Sequence, residues 1–217
     1  MALKIVVLIS GTGSNLQAII NAVREKKIAA EICAVISNQP DVVGLQRAAE
    51  AGIKTHVVQH RDYAERLAFD LALQHIIDQY QPQLLVLAGF MRILGDDFVR
   101  HYAGRMLNIH PSLLPAFPGL NTHQRALDAQ HAIHGASVHF VTVKLDGGPL
   151  LVQAVMNIEP ADTATSLQQR VHKQEHIIYP MAIGWIAEGR VTYQHHKIFL
   201  DGKALEQPVR IYENTTV

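Results

Sequence analysis

A chain of 217 residues, 48% hydrophobic and 18% charged, is long enough to bury one sizeable core and is neither disordered nor fibrous in composition. Nineteen basic residues offset nineteen acidic ones, so no global field recruits nucleic acid or an anionic membrane, and any anion has to be held by a local site. The single cysteine, Cys33, excludes an intrachain disulfide and fits a reducing, cytoplasmic setting; no apolar run reaches the length of a membrane span, and "MALKIVVLIS" lacks a signal-peptide pattern.

Strand and helix patterns alternate through the first half. "KIVVLIS" is a continuous β-branched run that ends in "GTGSN", and "LQAIINAVREKK" follows with helical apolar spacing. "EICAVIS" reads as a second buried strand, "DVVGLQRAAEAG" as a helix closed by Gly52, and "KTHVVQ" as a short third strand. A helix is predicted from Asp62 to Tyr80, stopping before Pro82; then come a strand in "QLLVLAG", a short helix in "GDDFVRHYAG" and a strand in "RMLNIH". Buried strands separated by amphipathic helices imply an α/β, Rossmann-like fold with a mostly parallel sheet covered by helices on both faces.

From Pro111 to about Thr122 the prolines and Gly119 forbid a regular element, and a loop of that length inside one domain is expected to be functional. "THQRALDAQ" reads as a helix. "ASVHFVTVKL" alternates as a half-buried strand, "DGG" turns the chain, and "PLLVQAVMNI" returns antiparallel. A long helix is predicted from about Ala164 to Glu188, ending at Gly189, and the tail "VTYQHHKIFLDGKAL" as a small hairpin around Asp201 and Gly202. No repeat or linker divides the chain, so residues 1–217 read as one domain.

In such sheets ligands bind outside the carboxyl ends of the strands, and "GTGSN", "GFMRIL" and "NIHPS" all sit there. "SGTGSN" is not a dinucleotide fingerprint, because Leu16 stands where a third glycine is required and the second strand ends in "SNQP" without an acid for a ribose. Glycines and hydroxyls at a helix N-terminus suit a phosphomonoester; the alternative is that Ser14 or Asn15 merely caps the helix. Asn108 and His110, one residue apart at a strand end, form either the polar edge of a turn or a catalytic pair. An amide N–H can face an oxygen gaining negative charge, and an imidazole can move a proton near neutral pH. Asp146, opening "DGGP", is the candidate carboxylate to orient the ring and favour its protonated form. Ser112 lacks a nucleophile-elbow context, so direct transfer between two bound substrates is expected. His172 and His176 lie one helical turn apart around "KQE" without H-E-x-x-H, and no metal is expected.

"ISGTGSNLQAII", "VLAGFMRIL", "NIHPSLLPAFPG", "SVHFV" and "LDGGP" together resemble the folate-dependent phosphoribosylglycinamide formyltransferases of purine biosynthesis, over nearly the whole chain. The N-x-H-P-S-L-L-P segment and the later D-x-G are shared by a wider superfamily that uses 10-formyltetrahydrofolate. The resemblance implies a formyltransferase version of the Rossmann-like sheet, with antiparallel strands in the C-terminal half. Its phosphate-binding half would span about 1–105, and its folate and catalytic half about 106–217. It makes Asn108 the ligand of the formyl oxygen, His110 the proton donor or shuttle, and Asp146 the group that favours the protonated His. It puts the phosphate of glycinamide ribonucleotide on Gly13, Ser14 and Asn15 and its amine near Glu175. Folate would lie along Met91, Arg92, Ile93 and Leu94, with backbone help from Thr142, Val143, Lys144, Leu145 and Asp146, and Arg66 would reach it from the third helix. It also implies a mobile cover over 111–122, a cis Leu114–Pro115 peptide, and a monomer or homodimer acting on small molecules. "NTH" at Asn121–His123 departs from the "HTH" of some members. Two rivals remain. A formyltetrahydrofolate deformylase would carry a further N-terminal domain, whereas the first strand here begins at residue 3; a non-catalytic phosphometabolite-binding module would have no use for Asn108, His110 and Asp146.

Overall fold

A computed structural model describes residues 2–213. Five strands, β1 (Leu3–Ile9), β2 (Ala30–Ser37), β3 (Thr55–Val57), β4 (Leu84–Leu87) and β5 (Met106–His110), alternate with helices α1 (Ser14–Arg24), α2 (Val43–Glu50), α3 (Arg66–Gln79) and α4 (Asp96–His101). After α5 (Thr122–Asp128) come β6 (Ile133–Phe140), β7 (Leu150–Asn157), the 24-residue α6 (Ala164–Ala187) and four short strands, β8 (Val191–Gln194), β9 (Lys197–Leu200), β10 (Lys203–Ala204) and β11 (Val209–Tyr212). The main sheet has the order β11-β7-β6-β5-β4-β1-β2-β3; only β6 runs against its neighbours, every other pairing being parallel.

Successive strand residues feed two different cores, which is why these strands show no polar alternation. In β1, Ile5, Val7 and Ile9 face a core closed by Leu16 and Ile19 of α1 and Val171, Ile178 and Ile183 of α6. Val6 and Leu8 face the other, closed by Phe69, Leu73 and Ile77 of α3 and Phe98 and Val99 of α4. Among the described residues no helix is long and apolar enough to cross a membrane.

Three expectations shift. The third helix starts at Arg66, with only a 3-10 turn at His60–Asp62 before it. The strand expected to run through Leu145 stops at Phe140. At Gly148 a Cβ would meet the Phe140 carbonyl oxygen, and the Pro149 carbonyl accepts from the Phe140 N–H at 3.0 Å. The chain therefore rejoins its partner at once, and residues 141–147 become an excursion from the sheet. The tail turns twice, at His195–His196 and at Asp201–Gly202, all four with positive φ, and then sends β11 back to extend the main sheet beside β7. Register places the catalytic candidates: Leu87 lies beside Asn108, Asn108 opposite His139, and His139 opposite Leu150, so the 141–147 excursion leaves the sheet level with Asn108.

Candidate functional site

Past the end of β1, Gly13 adopts a left-handed conformation (φ 70°) and itself stands at the N-cap of α1, with no side chain capping the helix. Ser14 and Asn15 are the first two helical residues, so neither fills the cap role that was the alternative reading. Any Cβ on Gly13 would lie 2.7 Å from the Cα of Gly44, and Arg47 Nε donates to the Thr12 carbonyl at 2.9 Å, so α2 buttresses the loop. First-turn N–H groups and the helix dipole converge here, which suits an anion.

Asn15 turns inward. Its Nδ2 donates to Glu175 Oε2 at 2.8 Å across 160 residues of sequence, while its Oδ1 is buried without a partner in the protein. Burial pushes the Glu175 carboxyl up to about 7, a rise the Asn15 hydrogen bond partly offsets. Because the folded-state value is raised, Glu175 contributes stability that is fully present below its unfolded value near 4.5 and is lost as pH rises through about 7. Glu175→Gln cannot ionise, and it keeps an oxygen that can accept from Asn15 Nδ2. The variant should therefore melt above the wild type at pH 8, with the gap closing toward pH 5. A gap in Tm that does not change with pH would remove the buried ionisation from the account.

Asn108, His110 and Asp146 do come together. Asn108 and His110 belong to β5, and Asp146, at φ 49°, ends the excursion's return. His110 Nδ1 lies 3.6 Å from Asp146 Oδ2, with both side chains about 7% exposed. The other ring nitrogen, Nε2, is 2.9 Å from the Phe117 carbonyl; a carbonyl only accepts, so Nε2 carries a proton. Gly119 N–H donates to Asp146 Oδ2 at 2.8 Å. The proline loop thus touches both groups.

His139 is the residue that sequence reasoning missed. Its Nδ1 is 3.1 Å from the Phe140 carbonyl and therefore protonated, which leaves Nε2 to accept from Asn108 Nδ2 at 3.2 Å. Burial lowers its basicity, so the ring stays neutral and this tautomer persists. The signal lay in "SVHFV", whose His faces Asn108 only once the antiparallel register is known.

Beyond β4, Met91 (68% exposed) and Ile93 (58%) present apolar side chains to solvent, as do Val143 and Leu145 of the excursion after β6. Leu94 does not: it lies in the core with Phe90, and Val141 packs against that same core. Arg66 opens α3. The first half of the proline loop is pinned: Ser137 Oγ donates to the Ser112 carbonyl at 2.6 Å and accepts from Leu114 N–H at 3.0 Å, and Gln153 Nε2 donates to the Leu114 carbonyl at 2.8 Å. The Leu114–Pro115 peptide is cis, and Asn121 is left-handed (φ 57°) at the N-cap of α5 without a side-chain cap bond. His172 and His176 stack with ring centroids 6.5 Å apart. No group of three or more His, Cys, Asp or Glu is placed to hold a metal among the described residues.

A family model described as formyl transferase matches residues 3–183. The chain belongs to the formyl transferase family. It is 52% identical over 203 residues to the phosphoribosylglycinamide formyltransferase of Escherichia coli K12, across 94% of this chain and 96% of that protein. The solved phosphoribosylglycinamide formyltransferase of Coxiella burnetii superposes with a TM-score of 0.93 at 55% identity, covering 97% of this chain and 100% of that one. The human trifunctional purine biosynthetic protein adenosine-3 is 45% identical over 188 residues, 87% of this chain but 19% of that protein. Strands β1 to β7, the proline loop and nearly all of α6 fall inside the part that this formyl transferase shares with the family model, whereas β8 to β11 lie beyond it.

Proposed function

We propose that this formyltransferase moves the formyl group of 10-formyltetrahydrofolate directly onto the amine of glycinamide ribonucleotide, with Asn108, His110 and Asp146 at the reacting centre. The observation that carries the reading is the convergence of these three residues, and the substrates are assigned to either side of them. On one side the α1 N-terminus takes the phosphate through Gly13, Ser14 and Asn15, and Glu175 receives the amine. On the other, Arg66 and the run Met91, Arg92, Ile93 and Leu94, with Thr142, Val143, Lys144, Leu145 and Asp146, take the folate. Glu175 comes from the C-terminal half yet completes the phosphate half, so the two halves work as one domain.

As the amine nitrogen attacks the formyl carbon, the carbonyl π pair moves onto oxygen, and Asn108, with one N–H held by His139, turns its other toward that oxygen. With Nε2 already protonated, His110 takes on Nδ1 the proton the attacking nitrogen loses, directly or through a water, and returns it to the departing folate nitrogen as the carbon–nitrogen bond breaks. Asp146, facing Nδ1, stabilises the imidazolium formed between those two events. Residues 111–122 act as a cover over the site, and their Phe117 carbonyl and Gly119 N–H reach His110 and Asp146.

The test is tetrahydrofolate formation from 10-formyltetrahydrofolate with and without the ribonucleotide. Turnover that requires the ribonucleotide is expected. Equal turnover in both arms would mean a deformylase, and none in either a binding module.

A further inference from the structure

The segment that would recognise folate has no regular structure of its own, and its two ends are held by side chains from other elements. At its start, Ser10 Oγ accepts from the Met91 N–H at 2.7 Å while donating to Asn38 Oδ1 at 2.5 Å, which ties the segment to the ends of β1 and β2. At its finish, Asp70 Oδ2 accepts from the Gly95 N–H at 2.7 Å. Asp70 is 4% exposed, in the middle of α3, on the core-facing side with Phe69, Leu73 and Ile77. A carboxylate buried in that setting is costly unless it does something for the structure around it. Burial raises its carboxyl, and the Gly95 amide, Arg66 and Arg92 work the other way. The same two arginines are those assigned to folate.

We infer that Asp70 is a positioning residue: by holding the Gly95 N–H it fixes where Met91 to Leu94 lie, and so sets the affinity for the folate substrate without touching it. The inference rests on the folate assignment above. Gly95 is the other half of the device. Its backbone (φ −72°, ψ 159°) is one any residue adopts, so no conformational need explains a glycine there. A Cβ at that position would stand 2.7 Å from Asp70 Oδ2, so any side chain there would make the carboxylate give way. With both ends held, Met91 and Ile93 keep apolar side chains exposed instead of collapsing onto the core, which is the state a planar ligand needs to find ready-made.

Asp70→Ala should raise the KM for 10-formyltetrahydrofolate by about tenfold, the effect expected for losing a charge-assisted hydrogen bond. The KM for the ribonucleotide and kcat at saturating folate should stay within about twofold. Asp70→Asn keeps an acceptor for Gly95 and should recover much of the folate KM. Gly95→Ala should reproduce the Asp70→Ala defect by pushing the carboxylate away, and should add little to it in the double variant, because the clash partner is then gone. A purely structural role would lower the active fraction and Tm without moving the folate KM. If Asp70→Ala does not fold, Gly95→Ala decides alone. Ile93→Ser separates the two layers of the argument. If it leaves the folate KM unchanged, the folate assignment fails; if it raises that KM while Gly95→Ala does not, the assignment stands and the clamp is wrong.

Discussion

Asp146→Asn is expected to lower turnover by about 10² to 10⁴ while leaving ribonucleotide binding intact. The substituted amide keeps an oxygen that can accept from the Gly119 N–H, so the loop contact at 2.8 Å survives in its simplest form. What is lost is the negative charge 3.6 Å from His110 Nδ1. That charge is worth most at the moment the ring carries the amine's proton, because both groups are then out of water and the attraction is weakly screened. A neutral amide at the same place offers no comparable stabilisation, and turned about it would place N–H groups against a protonated nitrogen. The phosphate seat is built on α1 and Gly13 at the end of β1, three strand positions from β6 and the 141–147 excursion, so the substitution should not reach it. Wild-type turnover in Asp146→Asn, or a defect confined to ribonucleotide binding, would overturn the mechanism even with the family assignment unchanged.

What the sequence made legible follows the locality of each signal. Strands β1, β2, β4 and β5 announce themselves by apolar runs, because each feeds a core on both faces, and Asn108 and His110 are legible because they sit at the end of such a run. The stretch "VTVKL" imitates a strand by alternation, yet the chain leaves the sheet after Phe140; the cause is Gly148 closing against the Phe140 carbonyl, a contact between residues eight apart that no period reports. The β11 strand, "VRIY", is too short to stand out, and it forms only because β7 offers an open edge. His139 and Asp70 were missed for a related reason. Each acts through one partner, Asn108 and Gly95, and which residue becomes that partner is decided by strand register in one case and by helix-to-loop packing in the other. Leu94 differs from its neighbours in a way no local pattern reports: its side chain is drawn into the core by the same packing that leaves Met91 and Ile93 exposed.

Asn108→Ala should reduce turnover by roughly 10² to 10³, the usual loss when one donor to a developing oxyanion is removed, with the ribonucleotide KM little changed. The His139 contact makes this more than an appeal to residue type. An amide that could flip would present its oxygen to the formyl oxygen half the time, and two acceptors would then face each other. His139 removes that freedom: its Nδ1 is committed to the Phe140 carbonyl, so its Nε2 can only accept, and only the N–H₂ of Asn108 can satisfy it. The neutrality of His139, maintained by burial, is therefore part of the catalytic arrangement. A protonated His139 would donate to Asn108 and turn the amide oxygen toward the substrate. Asn108→Ala and Asp146→Asn should also fail to multiply, since the imidazolium that Asp146 stabilises has a purpose only while the oxyanion opposite it is held. A double variant as slow as the product of the two single losses would show that the donor and the carboxylate act in separate steps, and the shared transition state drawn here would have to be split in two.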